Sequence, residues 1–501
     1  MTPEVDSRTP LLVVRRLVCA IFCLISAATS LRAQPGGGPT VRFEPYTFAT
    51  RSGDTVAAEL GRVRVPENRA DPRSRAIELA FVRLRSTASH PGDPIVWLDG
   101  GPGNSGISNA QAWRGPVFMA LRQVADVIIP DYRSVGLSTP HLQCTAEARW
   151  PLDRPLTYEA RLEGVRRASR ECMAEMRAKG VDLRGYTLND AADDIDDIRR
   201  AIGAPKIALV GLSFGTTHVT QVLRRHGAHV SRVVMAGLEG TDDAIKLPSR
   251  IRGVLAAVDS LVRADTAAAR VLPNGVEHAV REVMDRLQRS PATVRFKPEE
   301  AADSATIVIG PYDFQWLAWG IFASDGLPFL PGFLHQVLNG DYRFVAAQAA
   351  RLRREGLNAM VFSTDCASGA SQARLRQVAA EERGFVFGTQ PRIYYQDVCD
   401  AWGSPDLGPA FRAAPRCDVP TLFISGTLDA RTPPVQAEIA MRGFPRSAHL
   451  VVEGAVHSTP LFLSTPEIMQ DVLAFLRGGR LVSRRVRAPF AFVHPDRIPP
   501  A

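Results

Sequence analysis

Short apolar runs that recur along the chain constrain its fold most strongly. They are rich in Val and Ile and comprise Ile77–Leu84, Pro94–Leu98, Val127–Ile129, Ile207–Val210, Val233–Met235, Leu422–Ile424 and Leu450–Val452. All but the first are continuous, which is typical of parallel strands buried on both faces, whereas Ile77–Leu84 alternates and is expected at a sheet edge. Amphipathic segments such as Ala191–Ile202 and Thr216–Arg225 separate the runs. The pattern therefore predicts right-handed crossovers and a doubly wound, mostly parallel α/β sheet.

The alternation of strands and helices breaks after Met235. Residues 241–415 read as mostly helical, and strand-like runs resume at Leu422. We therefore predict a large helical cap inserted between two strands of the sheet. The predicted organisation is a signal peptide over 1–33, the first part of the core over 34–240, the cap over 241–415, the second part of the core over 416–480 and a C-terminal tail over 481–501.

The N-terminal segment has the layout of an export signal. The apolar run Leu17–Ser30 directly follows Arg15 and Arg16, and it is shorter than the roughly 20 residues that a membrane-spanning helix needs. A basic start, a short apolar middle and small residues up to Ala33 predict a secretory signal peptide. An uncleaved membrane anchor is the alternative. Cleavage would leave a secreted or periplasmic protein without a stable membrane span.

The composition is that of an ordinary globular protein, with 45% hydrophobic and 22% charged residues. The formal net charge is +8, but the arginines are interleaved with acids and form no basic stripe, so nucleic-acid binding is not predicted.

Export changes how the cysteines are interpreted, because an oxidising compartment favours disulfides. Of the 7 cysteines, Cys19 and Cys23 leave with the signal. The pairs that we favour are Cys144–Cys172 and Cys366–Cys399, with Cys417 left over, although spacing alone does not distinguish the possible pairings. No CxxC or HExxH spacing occurs, so no metal site is predicted.

A Gly-x-Ser-x-Gly motif identifies a candidate nucleophile. The sequence Gly211–Gly215 (GLSFG) follows the run Ile207–Val210 at once and precedes a helical segment. This pattern between a strand and a helix is typical of the nucleophile elbow, a sharp turn that presents the serine hydroxyl above the sheet. We predict Ser213 as the nucleophile; a structural turn serine is the alternative.

A base and an orienting acid are expected later in the chain, in that architecture's order of Ser, acid and His. His457 follows a strand end and a glycine loop, which is where catalytic groups collect at the C-terminal edge of such sheets. Asp429 follows the preceding strand and would orient His457 and stabilise its imidazolium. An ordinary loop histidine and a surface aspartate are the alternatives.

The oxyanion of an acyl-transfer reaction needs two backbone N–H donors. One is expected from Phe214, directly after the nucleophile. The other is assigned to Gly101, within the glycine-rich segment Asp99–Gly106 that follows an early strand. An ordinary glycine-rich turn is the alternative, and a phosphate loop is disfavoured because no G-K-[ST] follows.

Several motifs occur together in a fixed order. They are GGPG at Gly100–Gly103, D-x-R-x-x-G-x-S at Asp131–Ser138, the elbow at Gly211–Gly215, G-x-x-D-x-x-T-P at Gly426–Pro433, and His457. Over about residues 76–478 the chain resembles the α/β-hydrolase serine peptidases of the proline iminopeptidase and tripeptidyl aminopeptidase type. The surroundings of Cys366 and Cys399, with Trp402, resemble the tripeptidyl aminopeptidase branch. The chain departs from the family at Asp99, where His is usual, and at Phe214, where Tyr is common.

The resemblance implies an α/β-hydrolase fold and recognition of a free α-ammonium group, which calls for carboxylates facing the pocket. Glu239, shortly after the run Val233–Met235, and Trp316 in the cap are our candidate substrate-binding residues. A solvated carboxylate and core packing are the respective alternatives. The acidic run Asp193–Asp197 is expected to be a solvated helix face or a charge at the start of a helix.

These observations predict an exported serine hydrolase, specifically an aminopeptidase that releases one to three residues from peptide N-termini through an acyl-enzyme. The partner is a peptide or small-molecule substrate, and no cofactor is implied. An esterase or lactonase with the same residues is the alternative within enzymes, since the fold does not select the leaving group. A non-catalytic binding protein on the same scaffold is the alternative from another class. Oligomeric state and residue preference stay open.

Overall fold

The structure, a computed structural model, describes residues 39–297, 304–390, 394–480 and 482–494. The predicted signal peptide over 1–33 lies outside these residues. The strands are β1 (Val41–Ala49), β2 (Thr55–Pro66), β3 (Ala76–Leu84), β4 (Ile95–Leu98), β5 (Val127–Pro130), β6 (Gln143–Arg149), β7 (Ile207–Leu212), β8 (Val230–Ala236), β9 (Ala292–Phe296), β10 (Ala305–Ile309), β11 (Arg354–Asn358), β12 (Thr421–Gly426), β13 (Ser447–Glu453) and β14 (Arg484–Arg487). The helices are α1 (Gly106–Ala112), α2 (Gly115–Leu121), α3 (Tyr158–Ala178), α4 (Leu188–Ala201), α5 (Phe214–His226), α6 (Pro248–Ala264), α7 (Thr266–Val271), α8 (Gly275–Arg289), α9 (Pro311–Phe322), α10 (Leu330–Leu338), α11 (Arg343–Leu352), α12 (Ala359–Ser368), α13 (Gln372–Glu381), α14 (Gly408–Arg412), α15 (Pro434–Met441), α16 (Pro460–Leu463) and α17 (Pro466–Leu476).

A ten-stranded sheet organises the molecule, in the order β1-β2-β3-β5-β4-β7-β8-β12-β13-β14. From β1 to β5 the neighbouring strands pair antiparallel, and from β5 to β14 they pair parallel. Helices α1, α2 and α17 contribute to the core on one face, and α4, α5 and α15 to the core on the other. This arrangement confirms the predicted α/β-hydrolase fold class.

The continuous apolar runs became the buried central strands. Every residue of β4, β5, β7 and β12 is buried, because helices cover both faces of the parallel part of the sheet. The carboxyl ends of β7, β12 and β13 therefore meet at one edge of the sheet, and the loops that follow them lie close together there.

The predicted edge position of Ile77–Leu84 is wrong, because β3 lies between β2 and β5. Its polar residues pair across the sheet instead of facing solvent alone: Glu78 accepts from Arg62 at 2.9 Å, and Arg83 donates to Glu59 at 2.7 Å. Cross-strand ion pairs of this kind produce an alternating pattern within a sheet as well as at its edge.

Part of the predicted C-terminal tail belongs to the sheet. Strand β14 pairs parallel with β13 and forms one edge. Arg484 and Arg485 on β14 contact Asp471 and Glu453, so this arginine-rich strand is held by acids on neighbouring elements.

The segment between β8 and β12 carries helices α6 to α14 and the strands β9 to β11. It has a core of its own, which includes Val258, Val283, Phe314 and Phe322. The segment also contacts an earlier part of the chain, because its strand β11 pairs antiparallel with β6, which precedes the elbow in the sequence. Helix α3 also packs against the 3₁₀ segment Tyr394–Ala401.

Two disulfides lie where β6 and α3 meet the segment between β8 and β12, and we call this region the second layer. Cys144 on β6 bonds to Cys172 on α3, and Cys366 on α12 bonds to Cys399 in the 3₁₀ segment. Cys417 is the free cysteine among the described residues. The disulfides therefore brace the part of the molecule where residues 143–178 join the inserted segment.

Candidate active site

Ser213 occupies a sharp turn between β7 and α5. Its backbone has φ 54° and ψ −126°, a region that residues with a Cβ rarely adopt and that persists only where the surroundings enforce it. A Cβ at Gly215 would lie 2.0 Å from the Leu98 carbonyl oxygen, and one at Gly211 would lie 2.7 Å from the Val219 side chain. The two glycines of the motif thus let α5 approach β4 and β7 closely enough to form the turn.

The structure brings Ser213, His457 and Asp429 together. His457 Nε2 lies 3.0 Å from Ser213 Oγ, and His457 Nδ1 lies 2.8 Å from Asp429 Oδ2. His457 follows β13 and Asp429 follows β12, so both reach Ser213 from the same edge of the sheet. The arrangement allows a proton to move from the Ser213 hydroxyl to Nε2 while Asp429 holds Nδ1–H.

Asp429 is fully buried, yet its carboxylate is well provided with donors. Oδ1 accepts from the backbone N–H groups of Arg431 and Thr432 at 2.9 and 2.8 Å, and Oδ2 accepts from Thr432 Oγ1 at 2.6 Å. Burial acts to raise the pKa of Asp429, but the electrostatic interaction with His457 and hydrogen bonds from His457 and Thr432 outweigh it. The pKa of Asp429 is consequently below its ordinary value, and the group is a carboxylate at neutral pH.

The glycine-rich segment after β4 lies against the elbow. A Cβ at Gly100 would come within 3.2 Å of Ser213 Cβ, and Gly101 has φ 141°, which favours glycine. Phe214 is the first residue of α5, so the helix supplies no acceptor for its N–H. Gly100 thus lies against Ser213, and Gly101 lines the same cavity as Ser213; the role of Gly101 and Phe214 as oxyanion donors stays a prediction.

The D-x-R-x-x-G-x-S segment, Asp131–Ser138, holds the glycine-rich segment in place. Asp131 accepts hydrogen bonds from Ser105 Oγ and Leu137 N, both at 2.7 Å, and so ties the glycine-rich segment to the loop after β5. Arg133 forms a buried ion pair with Asp194. The expectation that Asp193–Asp197 is a solvated face is therefore wrong for Asp194, whose burial depends on an arginine about 60 residues earlier.

A cavity of about 560 Å³ opens beside Ser213, and we call it the Ser213 cavity. Its volume is in the range of small-ligand pockets. Its lining includes Gly100, Gly101, Pro102, Asn104, Arg114, Tyr158, Arg161, Leu212, Ser213, Tyr312, Trp316, Trp319, Gly320, Thr389, Gln390, Arg431, His457 and Ser458. The predicted residue Trp316 thus lines the cavity, half-buried, with an aromatic face available to a substrate.

The predicted residue Glu239 is not among the described lining residues. Its carboxylate pairs with Lys246, and both side chains are buried. The described lining holds no carboxylate and three arginines, of which Arg114 pairs with Asp99 and Arg161 with Glu355. We expected Glu239 in the lining of the Ser213 cavity because it follows a sheet strand. Its side chain instead forms an ion pair with Lys246.

A second cavity, of about 570 Å³, adjoins the first, and we call it the Trp113 cavity. Its lining is Trp113, Arg114, Ala323, Ser324, Asp325, Arg431, His457, Ser458 and Thr459. The two cavities share Arg114, Arg431, His457 and Ser458. Burial raises the pKa of Asp325, while the charges of His457 and Arg114 act in the opposite direction.

Sequence reasoning missed the cavity-lining charges. Arg431 lies two residues after Asp429 in the motif Gly426–Pro433, so the sequence could have predicted that it lies near the site. Arg114 and Asp325 carry no such signal, since α1–α2 and the turn after α9 reach the site only through tertiary packing. No group of described residues has the composition of a metal site, and no described helix is long and apolar enough to cross a membrane.

Comparisons with known proteins agree with the fold. A family model described as alpha/beta hydrolase fold matches residues 93–283, and one described as TAP-like protein matches residues 386–486. The chain is 24% identical to tripeptidyl aminopeptidase of Streptomyces lividans over 474 residues, 87% of this chain and 85% of that protein. It is 26% identical to carboxylesterase B of Mycobacterium tuberculosis over 418 residues, 77% of this chain and 78% of that protein. It is 29% identical to the serine protease Hip1 of M. tuberculosis over 195 residues, 37% of this chain but only 36% of that protein.

The fold and these matches define the class of the protein, which is a hydrolytic enzyme built on the α/β-hydrolase fold. Within that class, the TAP-like match and the long alignment with a tripeptidyl aminopeptidase make the chain similar to the α/β-hydrolase peptidases.

Proposed function

We propose that this protein is an exported serine aminopeptidase that releases one to three residues from the N-termini of peptides. The observation that carries the proposal is the hydrogen-bonded series Asp429–His457–Ser213, with Ser213 opening into a cavity under the inserted helices. The export part rests on the basic and apolar N-terminal segment, which lies outside the described residues.

The reaction would proceed through an acyl-enzyme. Ser213 Oγ attacks the scissile carbonyl while its proton passes to His457 Nε2, and the N–H groups of Phe214 and Gly101 bind the developing oxyanion. His457 then protonates the leaving amine, and the C–N bond breaks. A water molecule repeats the sequence on the ester, which frees the peptide fragment and restores the Ser213 hydroxyl.

Two further features support peptide substrates. The Ser213 cavity carries the aromatic side chains Tyr158, Tyr312, Trp316 and Trp319, which suit apolar side chains of a bound peptide. The TAP-like match and the long alignment with a tripeptidyl aminopeptidase favour the same activity.

An esterase acting on small esters is the second candidate, because a specific observation favours it. The described lining of the Ser213 cavity has no carboxylate to bind an α-ammonium group, and one long alignment is with a protein named carboxylesterase B. The same series of side chains hydrolyses either bond.

Peptide p-nitroanilides with a free or an acetylated N-terminus separate the two. We expect the purified mature protein to cleave the free peptides and to lose activity on acetylation, and we expect the Ser213→Ala variant to cleave neither. Equal turnover of both forms, or turnover of p-nitrophenyl esters alone, would contradict the aminopeptidase proposal. A fluorophosphonate probe that fails to label the folded protein at Ser213 would favour the binding-protein alternative.

A further inference from the structure

Arg431 stands at the junction of the two cavities, beside His457. Its Nε donates to the Ala323 carbonyl at the C-terminal end of α9, at 2.7 Å, and this bond fixes the direction of the guanidinium. Within the described part of the chain, Nη1 and Nη2 make no hydrogen bond and no ion pair. The side chain is exposed to the cavities, so the structure holds a positioned cation with two free donor groups.

No described carboxylate forms an ion pair with Arg431, and the charges of Asp429, Glu239 and Asp325 act on it only from a longer distance. Arg114 is committed to Asp99 through its Nη1, at 2.9 Å, and its Nη2 lies 3.3 Å from Ser458 Oγ. Asp325 lines the Trp113 cavity but lies beyond 4.0 Å from Arg431, since no ion pair joins these two described residues. Asp429 binds the backbone N–H of Arg431 and not its guanidinium.

The two cavities differ in what they offer a substrate. The Ser213 cavity contains the nucleophile and the glycine-rich segment, so the acyl part must lie there. The Trp113 cavity contains His457 but neither Ser213 nor Gly101. His457 delivers its proton to the departing group and lines both cavities, so a leaving group beside His457 has the Trp113 cavity open to it.

We propose that Arg431 is a specificity residue that binds a carboxylate on the leaving group, so that the preferred substrates are short peptides whose departing amino acid or dipeptide ends in a free carboxylate. The proposal rests on the assignment of Ser213 and His457 under the proposed function. A guanidinium pairs with a carboxylate through two parallel N–H···O bonds, and Nη1 and Nη2 supply both donors. Trp113 is 59% accessible. The guanidinium of Arg51 lies over one face of its ring, 4.7 Å from the centroid, and the rest of the ring offers an apolar surface to the side chain of the departing residue.

A matched pair of tetrapeptides tests this proposal. Both have the same residues and a free N-terminus, but one ends in a carboxylate and the other in an amide. We expect the wild-type protein to favour the carboxylate form about tenfold in kcat/KM, mainly through KM, as for a charge-assisted hydrogen bond. In Arg431→Gln the ratio of the two kcat/KM values should fall to near one, and in Arg431→Lys it should be intermediate. The ratio cancels any general loss of activity or folded protein.

The control is Arg442→Gln, which removes another exposed arginine outside both cavities and should leave the ratio as in the wild type. A wild-type ratio near one, or a ratio that Arg431→Gln does not change, would overturn the role of Arg431 while the peptidase activity stands.

A second pair of substrates separates this failure from failure of the proposed function. 4-Acetoxybenzoate and its methyl ester differ only in a carboxylate on the leaving phenol. If neither tetrapeptide is cleaved but the benzoate is favoured in an Arg431-dependent way, the aminopeptidase assignment fails and the carboxylate site stands. If the benzoate is not favoured either, the carboxylate site fails as well.

Discussion

Asp429 is a carboxylate without solvent contact whose charge is offset by the donors around it. The backbone N–H groups of Arg431 and Thr432, the Thr432 hydroxyl and His457 all point to it. These bonds leave one orientation for His457, with Nδ1 toward Asp429 and Nε2 toward Ser213. In our proposal, Asp429 therefore holds His457 in the required tautomer and stabilises the imidazolium that forms during the reaction.

Asp429→Asn tests this contribution. An amide at this position can present its N–H₂ group to Nδ1 and so favour the wrong tautomer, and we expect kcat to fall by about 10³- to 10⁴-fold with the fold intact. The measurement is kcat on a peptide p-nitroanilide together with the circular dichroism spectrum. Glu453→Gln, which neutralises a half-buried carboxylate on β13 outside both cavities, is the matched control. A loss smaller than about tenfold in Asp429→Asn would contradict the assigned role.

At the scale of elements, the elbow depends on how closely α5 approaches β4. A Cβ added at Gly215 would lie 2.0 Å from the carbonyl oxygen of Leu98, the last residue of β4, whereas a Cβ added at Gly253 in α6 would have nothing within 4 Å. The same substitution at the two glycines therefore separates a packing requirement from ordinary helix propensity.

Gly215→Ala should destabilise the protein by about 3 kcal/mol or more, since the new methyl group would lie 2.0 Å from a carbonyl oxygen and force β4 and α5 apart. Gly253→Ala should instead be neutral or stabilise by up to about 1 kcal/mol. Urea unfolding of both variants measures the difference. Equal stability of the two variants would show that the close approach at Gly215 is not required.

The disulfides are a second property of the elements. Each closes a short loop, with sequence separations of 28 and 33 residues, and joins neighbouring elements of the second layer. Non-reducing digestion and mass spectrometry should find Cys144 linked to Cys172 and Cys366 linked to Cys399, with Cys417 alkylated after unfolding. Reduction should lower the free energy of unfolding by roughly 3 kcal/mol for each bond. A peptide that links Cys417 to another cysteine would contradict this pairing.

At the scale of the whole molecule, burial makes stability depend on pH. Burial lowers the pKa of His218 and of His449 to about 4, and the charge of Arg485 acts in the same direction on His449. In the unfolded chain these imidazoles have a pKa near 6.5. Between pH 6.5 and 4 the unfolded state therefore binds more protons than the folded state. The contribution of the two neutral histidines to the free energy of unfolding is complete above pH 6.5 and is lost as the pH falls toward 4.

We expect each of these histidines to cost the folded state roughly 3 kcal/mol at pH 4 relative to pH 7. Urea unfolding at pH 7.5, 6 and 5 gives the slope. His449→Gln, which can keep the contact with Ser425 Oγ, should show a shallower slope than the wild type. His278→Gln, which removes an exposed histidine, should not. An unchanged slope in His449→Gln would contradict the lowered pKa.

Local sequence determined much of the sheet and of the candidate site. The buried strands β4, β5, β7 and β12 were readable because burial on both faces demands an unbroken apolar run. Ser213, Asp429 and His457 were readable because each follows a strand end within a recognisable turn, and the carboxyl ends of parallel strands share one edge.

Tertiary structure decided everything that depends on partners distant in the chain. The interior position of β3, the burial of Asp194 against Arg133, the pairing of β6 with β11 and the withdrawal of Glu239 toward Lys246 each follow from what packs alongside. The same holds for the charges that line the two cavities. Periodicity reports which face of an element is covered, whereas only the folded chain fixes which residue covers it.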